Sequence, residues 1–358
     1  MPGEPSTASR SLSLSDPDRT AVIQPLPGIG DMIWHLQHIR ALAERWGGPV
    51  LLVAKPRSAA DQLFAAETTV ADVLWMDRNP ENRTGRHDGP AGLLRLIAAL
   101  RARRLHRAIL LHHSRTLAFA MLAAGIKERY GYGFATQRPF LNRAPFLPSA
   151  SLTLHPYDQA TAWLSAANIP LADPEPTLPI SPRARRAVRE RLGPVHGGLL
   201  LFGIGSSEPY KQWGADRFVA LAVALAQAGW RRFALAGGVA ETVLAAEIRT
   251  RLAEIAEITP AIAWTLPELA ALAADSAFYV GNDTGVMNLA AAVGLRSYGL
   301  FGAVPPFHHA SRIVPILPPD GRVSLHDGMA RITPDAVLAA IRADRGSLAP
   351  LGGSGAVA

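Results

Sequence analysis

Tyr279-Val280-Gly281-Asn282-Asp283-Thr284-Gly285-Val286-Met287-Asn288-Leu289-Ala290-Ala291-Ala292-Val293-Gly294 decides the fold of this chain. The apolar run from Ala277 to Val280 reads as a buried parallel strand. It breaks at Gly281-Asn282-Asp283 and resumes as an alanine-rich helix that Gly294 stops, glycine being suited to the left-handed position past a helix end. A strand feeding a helix through a small polar turn presents free N–H groups and the positive end of the helix dipole above the sheet, a site for an anion such as phosphate. Asp283 or Thr284 equally fits an ordinary N-cap, so the neighbouring segments must decide.

The chain around this stretch has 358 residues, enough for two domains. Residues 1–20 are polar and lack the apolar core of a signal peptide, so a disordered leader is expected there. With no cysteine, disulfides, thiolate metal sites and cysteine nucleophiles are excluded, and a cytoplasmic setting fits. No apolar run reaches membrane-spanning length. The net charge of +7, with arginine far outnumbering lysine, suits nucleotides, anionic phospholipid surfaces or nucleic acid, and genomic bias explains it as well.

Strand-like and helix-like segments alternate along the chain, which predicts parallel sheets covered by helices. In the first half the strands are Ala21–Ile23, Val50–Ala54 and Arg107–Leu111, with a helix from Asp31 to Trp46 that places Ile33, Leu36, Ile39 and Ala43 on one face. A proline-rich stretch from Ile169 to Pro179 reads as a semi-rigid linker. The second half restarts with a strand at Leu199–Phe202, a helix through Phe218, Leu221, Ala222 and Leu225, and a strand at Phe233–Ala236. The expected domains are 21–180 and 181–343, two doubly wound α/β units facing each other across a cleft, with a flexible tail over 344–358.

Ligands of such sheets bind beyond the carboxyl ends of the strands, and three further turns there stand out. Gly28-Ile29-Gly30-Asp31 allows close backbone approach and sets a carboxylate at a helix start, either as a reactive group or as a cap. It lacks the third glycine of the dinucleotide fingerprint, and Ala54-Lys55-Pro56-Arg57 stands where that fingerprint has an acid, so a nicotinamide cofactor is disfavoured. Gly203-Ile204-Gly205-Ser206-Ser207 leads to Lys211 and Trp213. Lys211 would bring a point charge to a phosphate and the serines short donors, unless the lysine is merely solvated. Gly237-Gly238 precedes Glu241, which could accept hydrogen bonds from a ribose.

Taken in order, these blocks resemble the bacterial ADP-heptose:lipopolysaccharide heptosyltransferase family, from about Ala21 to about Ala343. The resemblance includes the tail Met329-Ala330-Arg331-Ile332-Thr333-Pro334. It implies a GT-B fold and an inverting, metal-independent glycosyltransferase with no cofactor. The donor would be a nucleotide-sugar, ADP-heptose, and the acceptor a hydroxyl of a lipopolysaccharide-type glycan or glycolipid. By the same resemblance Asp31 is the general base, Lys211 the phosphate lysine, and Gly205, Ser206 and Ser207 nucleotide contacts. Glu241 takes the ribose, and Asp283, Thr284 and Gly285 the donor. Trp264, ahead of Thr265-Leu266-Pro267-Glu268, would stack on the base or lie in the core. Gly28 and Gly30 fall on the acceptor side; His35 and His38 match no family residue and either line the acceptor site, where His35 is assigned, or lie at the surface.

The chain departs from the family at Asn288, where a histidine is usual, and at Gln37, where a proline is usual. Asparagine hydrogen-bonds but carries no charge, which puts the donor sugar in question and motivates a rival: a homologue that binds nucleotide-sugar without turning it over. A GT-B nucleotide-sugar epimerase is a second rival. Expected partners are the donor, the acceptor and an anionic inner-membrane surface, without nucleic acid.

Overall fold

The computed structural model describes residues 19–80, 83–193, 198–306 and 310–345. It divides into two compact units, Met1–Pro176 and Thr177–Ala358. Most of the expected leader and tail lies outside the described residues, but Thr20 already belongs to a strand and Asp344 and Arg345 to a helix. The division falls inside the proline-rich stretch rather than after residue 180. Leu178 explains this: its side chain is buried and its N–H donates to Ala292 O at 2.8 Å, so the end of that stretch is bound to the second unit.

The first unit runs β1 (Thr20–Gln24), α1 (Ile29–Arg45), β2 (Val50–Ala54), α2 (Ala60–Leu63), β3 (Val70–Trp75), α3 (Gly89–Ala102), β4 (Arg107–Leu110), α4 (Arg115–Ala123), β5 (Glu128–Gly131) and α5 (Pro156–Ala166). Its sheet is parallel in the order β3-β2-β1-β4-β5. Ile23 on β1 is level with Val53 on β2 and Leu110 on β4, all three apolar because a central parallel strand is buried on both faces. The helix α1 is buried almost all round from Met32 to Ala43, not on one face alone. Its second face meets α5, where Tyr157 packs edge-on against Trp34 and His38. Gln37 also turns inward and donates to Glu175 O.

The second unit runs α6 (Pro182–Leu192), β6 (Leu199–Gly203), α7 (Ala215–Gln227), β7 (Arg232–Gly237), α8 (Thr242–Leu252), β8 (Glu257–Ile262), α9 (Leu266–Ala274), β9 (Phe278–Asn282), α10 (Gly285–Ala292), β10 (Ser297–Leu300), β11 (Ile313–Ile316), α11 (Gly328–Arg331) and α12 (Pro334–Arg345). The sheet is again parallel, ordered β11-β10-β9-β6-β7-β8. Phe202, Phe218, Phe233, Trp230 and Phe278 fill one side of it with ring centroids 5.1–5.6 Å apart. Strand order reverses between β6 and β9, so the turns after these two strands flank the crevice where a doubly wound sheet takes its ligand. Among the described residues no helix is long and apolar enough to cross a membrane.

Candidate active site

The decisive stretch forms the strand and helix expected of it, with one shift: β9 continues through Asn282 instead of breaking at Gly281. Gly294 takes the left-handed conformation, φ 91°, just past α10. Packing dictates the glycines that open the crevice. A Cβ on Gly203 would stand 1.8 Å from the Tyr279 hydroxyl oxygen, and one on Gly281 would stand 2.4 Å from Gly203 O. The backbones of β6 and β9 approach this closely because neither carries a side chain there.

At the start of α10, Thr284 occupies the N-cap position without a side-chain cap bond. Asp283 does not cap either. Its Oδ2 pairs with Lys211 Nζ at 2.8 Å, both groups being one-fifth exposed. The lysine and the aspartate expected to meet a donor therefore meet each other, and the pair ties the turn after β6 to the turn after β9. Asn288, one turn into α10, donates from Nδ2 to Thr284 O at 3.0 Å.

Asn282, a residue that spacing alone does not single out, holds this arrangement together. It is fully buried. Its Oδ1 accepts from Trp213 N–H at 3.2 Å, and its Nδ2 lies 3.2 Å from Ile204 O, 3.1 Å from Gly205 O and 3.2 Å from Gln212 Oε1. Two amide hydrogens are shared among three acceptors, so one side chain pins the whole Gly203–Trp213 segment. Asn282→Ala should lower stability by about 1–3 kcal/mol, because buried backbone groups lose their partner. Thermal or urea denaturation measures it, and an unchanged midpoint would remove Asn282 from this role.

Glu241 is buried at the end of the β7 turn. Its Oε2 accepts from Gly238 N–H at 2.8 Å and its Oε1 from Ser206 N–H at 3.5 Å, which bridges the β7 and β6 turns. Ser206 turns its hydroxyl into its own loop, donating to Glu208 O at 2.6 Å, whereas Ser207 is exposed. Gly205 lies against Gly237, whose Cα would be 3.3 Å from an added Cβ. Trp264, beyond β8, is half-buried rather than in the core. Arg191 lies 4.9 Å over its ring and pairs with Glu268 at 3.0 Å. Thr265 and Glu268 form the capping box of α9.

In the first unit Gly28 is the N-cap of α1, and Asp31 sits in the first turn with its carboxylate folded back over Gly28. A Cβ on Gly28 would lie 2.6 Å from Asp31 Oδ2, so glycine there gives the carboxylate its room. No side-chain cap bond forms at this helix start. His35 and His38 are not surface residues: both are buried, at 1% and 0% exposure. His35 Nδ1 lies 2.7 Å from Asp31 O and 3.2 Å from Gln24 Nε2. It cannot both donate to the carbonyl and accept from the amide, and the shorter contact makes it the donor. Burial holds both imidazoles below the usual histidine range, and therefore neutral. His112, in the loop after β4, is lowered to about 4 by burial and by its stacked neighbour His113.

Among the described residues no group of three His, Cys, Asp or Glu side chains is arranged to hold a metal ion. The chemistry assembled in the second unit suits a diphosphate: a lysine, a helix N-terminus and glycine-lined backbone within one pair of turns.

A family model described as glycosyltransferase family 9 (heptosyltransferase) matches residues 93–328. No curated protein sequence matches the chain. Among solved structures, the glycosyl transferase family 9 protein from Veillonella parvula superposes with a TM-score of 0.75 at 18% identity, covering 92% of this chain and 97% of its own. The E. coli ADP-heptose lps heptosyltransferase II gives 0.70 at 22%, covering 91% and 98%. E. coli heptosyltransferase WaaC with ADP-2-deoxy-2-fluoro heptose gives 0.68 at 17%, covering 91% and 99%. These likenesses establish the GT-B fold.

Proposed function

Because this chain belongs to glycosyltransferase family 9, the heptosyltransferases, we propose that it moves a heptose-like sugar from ADP-heptose to a hydroxyl of a lipopolysaccharide-type acceptor, with inversion and without a metal ion. The observation that carries the donor half is the Lys211–Asp283 pair beside the N-terminus of α10, at the strand-order reversal of the second sheet. The similar E. coli proteins are an ADP-heptose lps heptosyltransferase and a heptosyltransferase with ADP-2-deoxy-2-fluoro heptose, which supports that donor class.

In this reading Lys211 and the N–H groups at the start of α10 meet the diphosphate, and Glu241 lies within the turns that would receive the ribose. Asp31 takes the proton of the acceptor hydroxyl as that oxygen attacks the anomeric carbon. The new C–O bond forms as the bond to the diphosphate breaks, and the nucleoside diphosphate leaves with its charge stabilised by groups already in place. Incubation with ADP-heptose and a lipopolysaccharide-core acceptor tests the reading. Transfer supports it, and a failure to bind any ADP-sugar overturns it. A binding-only homologue is the second reading, motivated by Asn288, whose amide is engaged with the Thr284 carbonyl. Donor affinity without transfer or hydrolysis would favour it.

Metal independence carries its own prediction. A diphosphate held through a hard cation needs oxygen ligands, commonly an Asp-x-Asp pair. The chain's early example, Asp16-Pro17-Asp18, lies outside the described residues. EDTA should leave transfer largely intact. Loss of activity in chelator, restored by magnesium or manganese, would sink the proposal that Lys211 and the helix end replace the ion.

A further inference from the structure

We propose that the outer face of α3 and α4 is a docking surface for an anionic lipid bilayer. From Gly89 to Tyr157 the chain has ten basic residues and one acid, Glu128. That acid is taken by Arg107 at 2.6 Å and Arg143 at 3.1 Å, and Arg103 pairs with Asp72 of β3 at 2.5 Å, which leaves seven of the ten without an acidic partner among the described residues.

The exposed positions of the two helices are spaced alike. On α3 they include Leu94, Ala98 and Arg101, and on α4 Arg115, Phe119 and Leu122, both sets at i, i+4 and i+7, with the arginine last on α3 and first on α4. Leu94 is 67% exposed, Phe119 39% and Leu122 40%. Arg101 donates to Ala123 O at 2.8 Å, which brings the ends of the two helices side by side and joins their stripes into one surface. Phe140 extends it, meeting Phe119 edge-on at 5.6 Å with Arg115 lying 5.9 Å from its ring. Among the described residues Arg101 and Arg115 form no ion pair, nor does Arg138, which stands on the turn that ends at Phe140 and lies 4.2 Å over the Phe146 ring.

Charge without a counter-charge selects an anionic partner, and the apolar side chains between the arginines choose among such partners. Nucleic acid rewards positive charge and aromatic stacking but gains nothing from exposed leucines. An anionic bilayer rewards both: guanidinium groups reach the lipid phosphates while Leu94, Phe119 and Leu122 enter the boundary beneath them. The loop His112–Ser114 leads from β4 into α4 at the carboxyl edge of the sheet, next to the β1 turn that carries Asp31. A lipid-borne sugar would rise along that edge. This purpose rests on the transferase reading, whereas the binding itself does not.

Sedimentation of the full chain with phosphatidylcholine vesicles, with and without phosphatidylglycerol, tests the surface. Binding should require phosphatidylglycerol and weaken as salt screens the charges. Arg115→Gln with Arg138→Gln should lower partitioning about thirtyfold, about fivefold for each basic residue. Phe119→Ser with Leu122→Ser should lower it by about tenfold or more through lost apolar burial. Thermal melting and ADP binding of the variants should match those of the unsubstituted chain, which separates surface loss from misfolding. The proposal is overturned by absent binding to anionic vesicles at low salt, by variants that bind as well as the unsubstituted chain, or by capture of duplex DNA without vesicle binding. Vesicles contain neither donor nor acceptor, so each of these failures leaves the transferase reading untouched.

Discussion

Asp31→Asn should keep the fold and the affinity for ADP while lowering sugar transfer by roughly two to four orders of magnitude, the usual contribution of a positioned general base. The carboxylate stands in the first turn of α1 over Gly28, and no side-chain cap bond ties it to the helix start. An isosteric amide in that place removes a charge from a helix N-terminus, which costs about 0.3–1 kcal/mol and leaves a folded protein. In the proposed mechanism it also removes the group that accepts the proton, which an amide cannot do. Calorimetry with ADP should therefore read as before, while an assay with donor and acceptor falls. Near-normal turnover with a verified acceptor would reduce Asp31 to a helix-end charge.

The strands that were legible in the sequence and those that were not divide by position in the sheet. β1, β2, β4, β6, β7 and β9 all lie inside their sheets and read as continuous apolar runs, because helices cover both faces. The edge strands β3, β5, β8 and β11 gave no such signal. They carry Asp72, Glu128, Arg129, Pro260 and Pro315, residues that an edge tolerates and a central strand does not. β10 is internal yet illegible for another reason. Gly299 interrupts its four residues, and a Cβ there would stand 2.4 Å from Met287 Sδ. Close packing between the strand and α10 has removed the side chain that would have announced it.

Residues of the candidate site were legible as types at turns, but their partners were not. Glycines, a lysine and a carboxylate after strand ends declare an anion site through local chemistry. That Lys211 meets Asp283, that Glu241 spans to Ser206, and that Asn282 pins a loop about seventy positions earlier depend on which strands lie side by side. The strand order 9-6-7 supplies those pairings, and no local spacing encodes it. The burial of His35 and His38 was hidden in a similar way: their helix reads as one-faced until α5 covers the other side.

The Lys211–Asp283 pair sets the second large effect. Lys211→Ala should weaken ADP binding and lower transfer by about a hundredfold to a thousandfold, the range seen when one preorganised donor to a developing charge is removed. Part of that loss comes from what remains. Asp283 would keep its carboxylate at the start of α10 with no cation beside it, facing an incoming diphosphate of the same sign. Removing Asp283 as well should then restore part of the affinity, so that Lys211→Ala with Asp283→Ala binds ADP better than Lys211→Ala alone. A lysine that only neutralised Asp283 would give a different cycle, in which the double variant returns to the full affinity of the unsubstituted chain. A lysine that contacts the diphosphate leaves a deficit that deleting the aspartate cannot fill, and that deficit should be larger for transfer than for binding, because charge on the leaving diphosphate grows as its bond to the sugar breaks. Calorimetry with ADP across the four proteins, set beside their transfer rates, measures both quantities. Unchanged affinity and rate in Lys211→Ala would return the lysine to an ordinary ion pair between two turns.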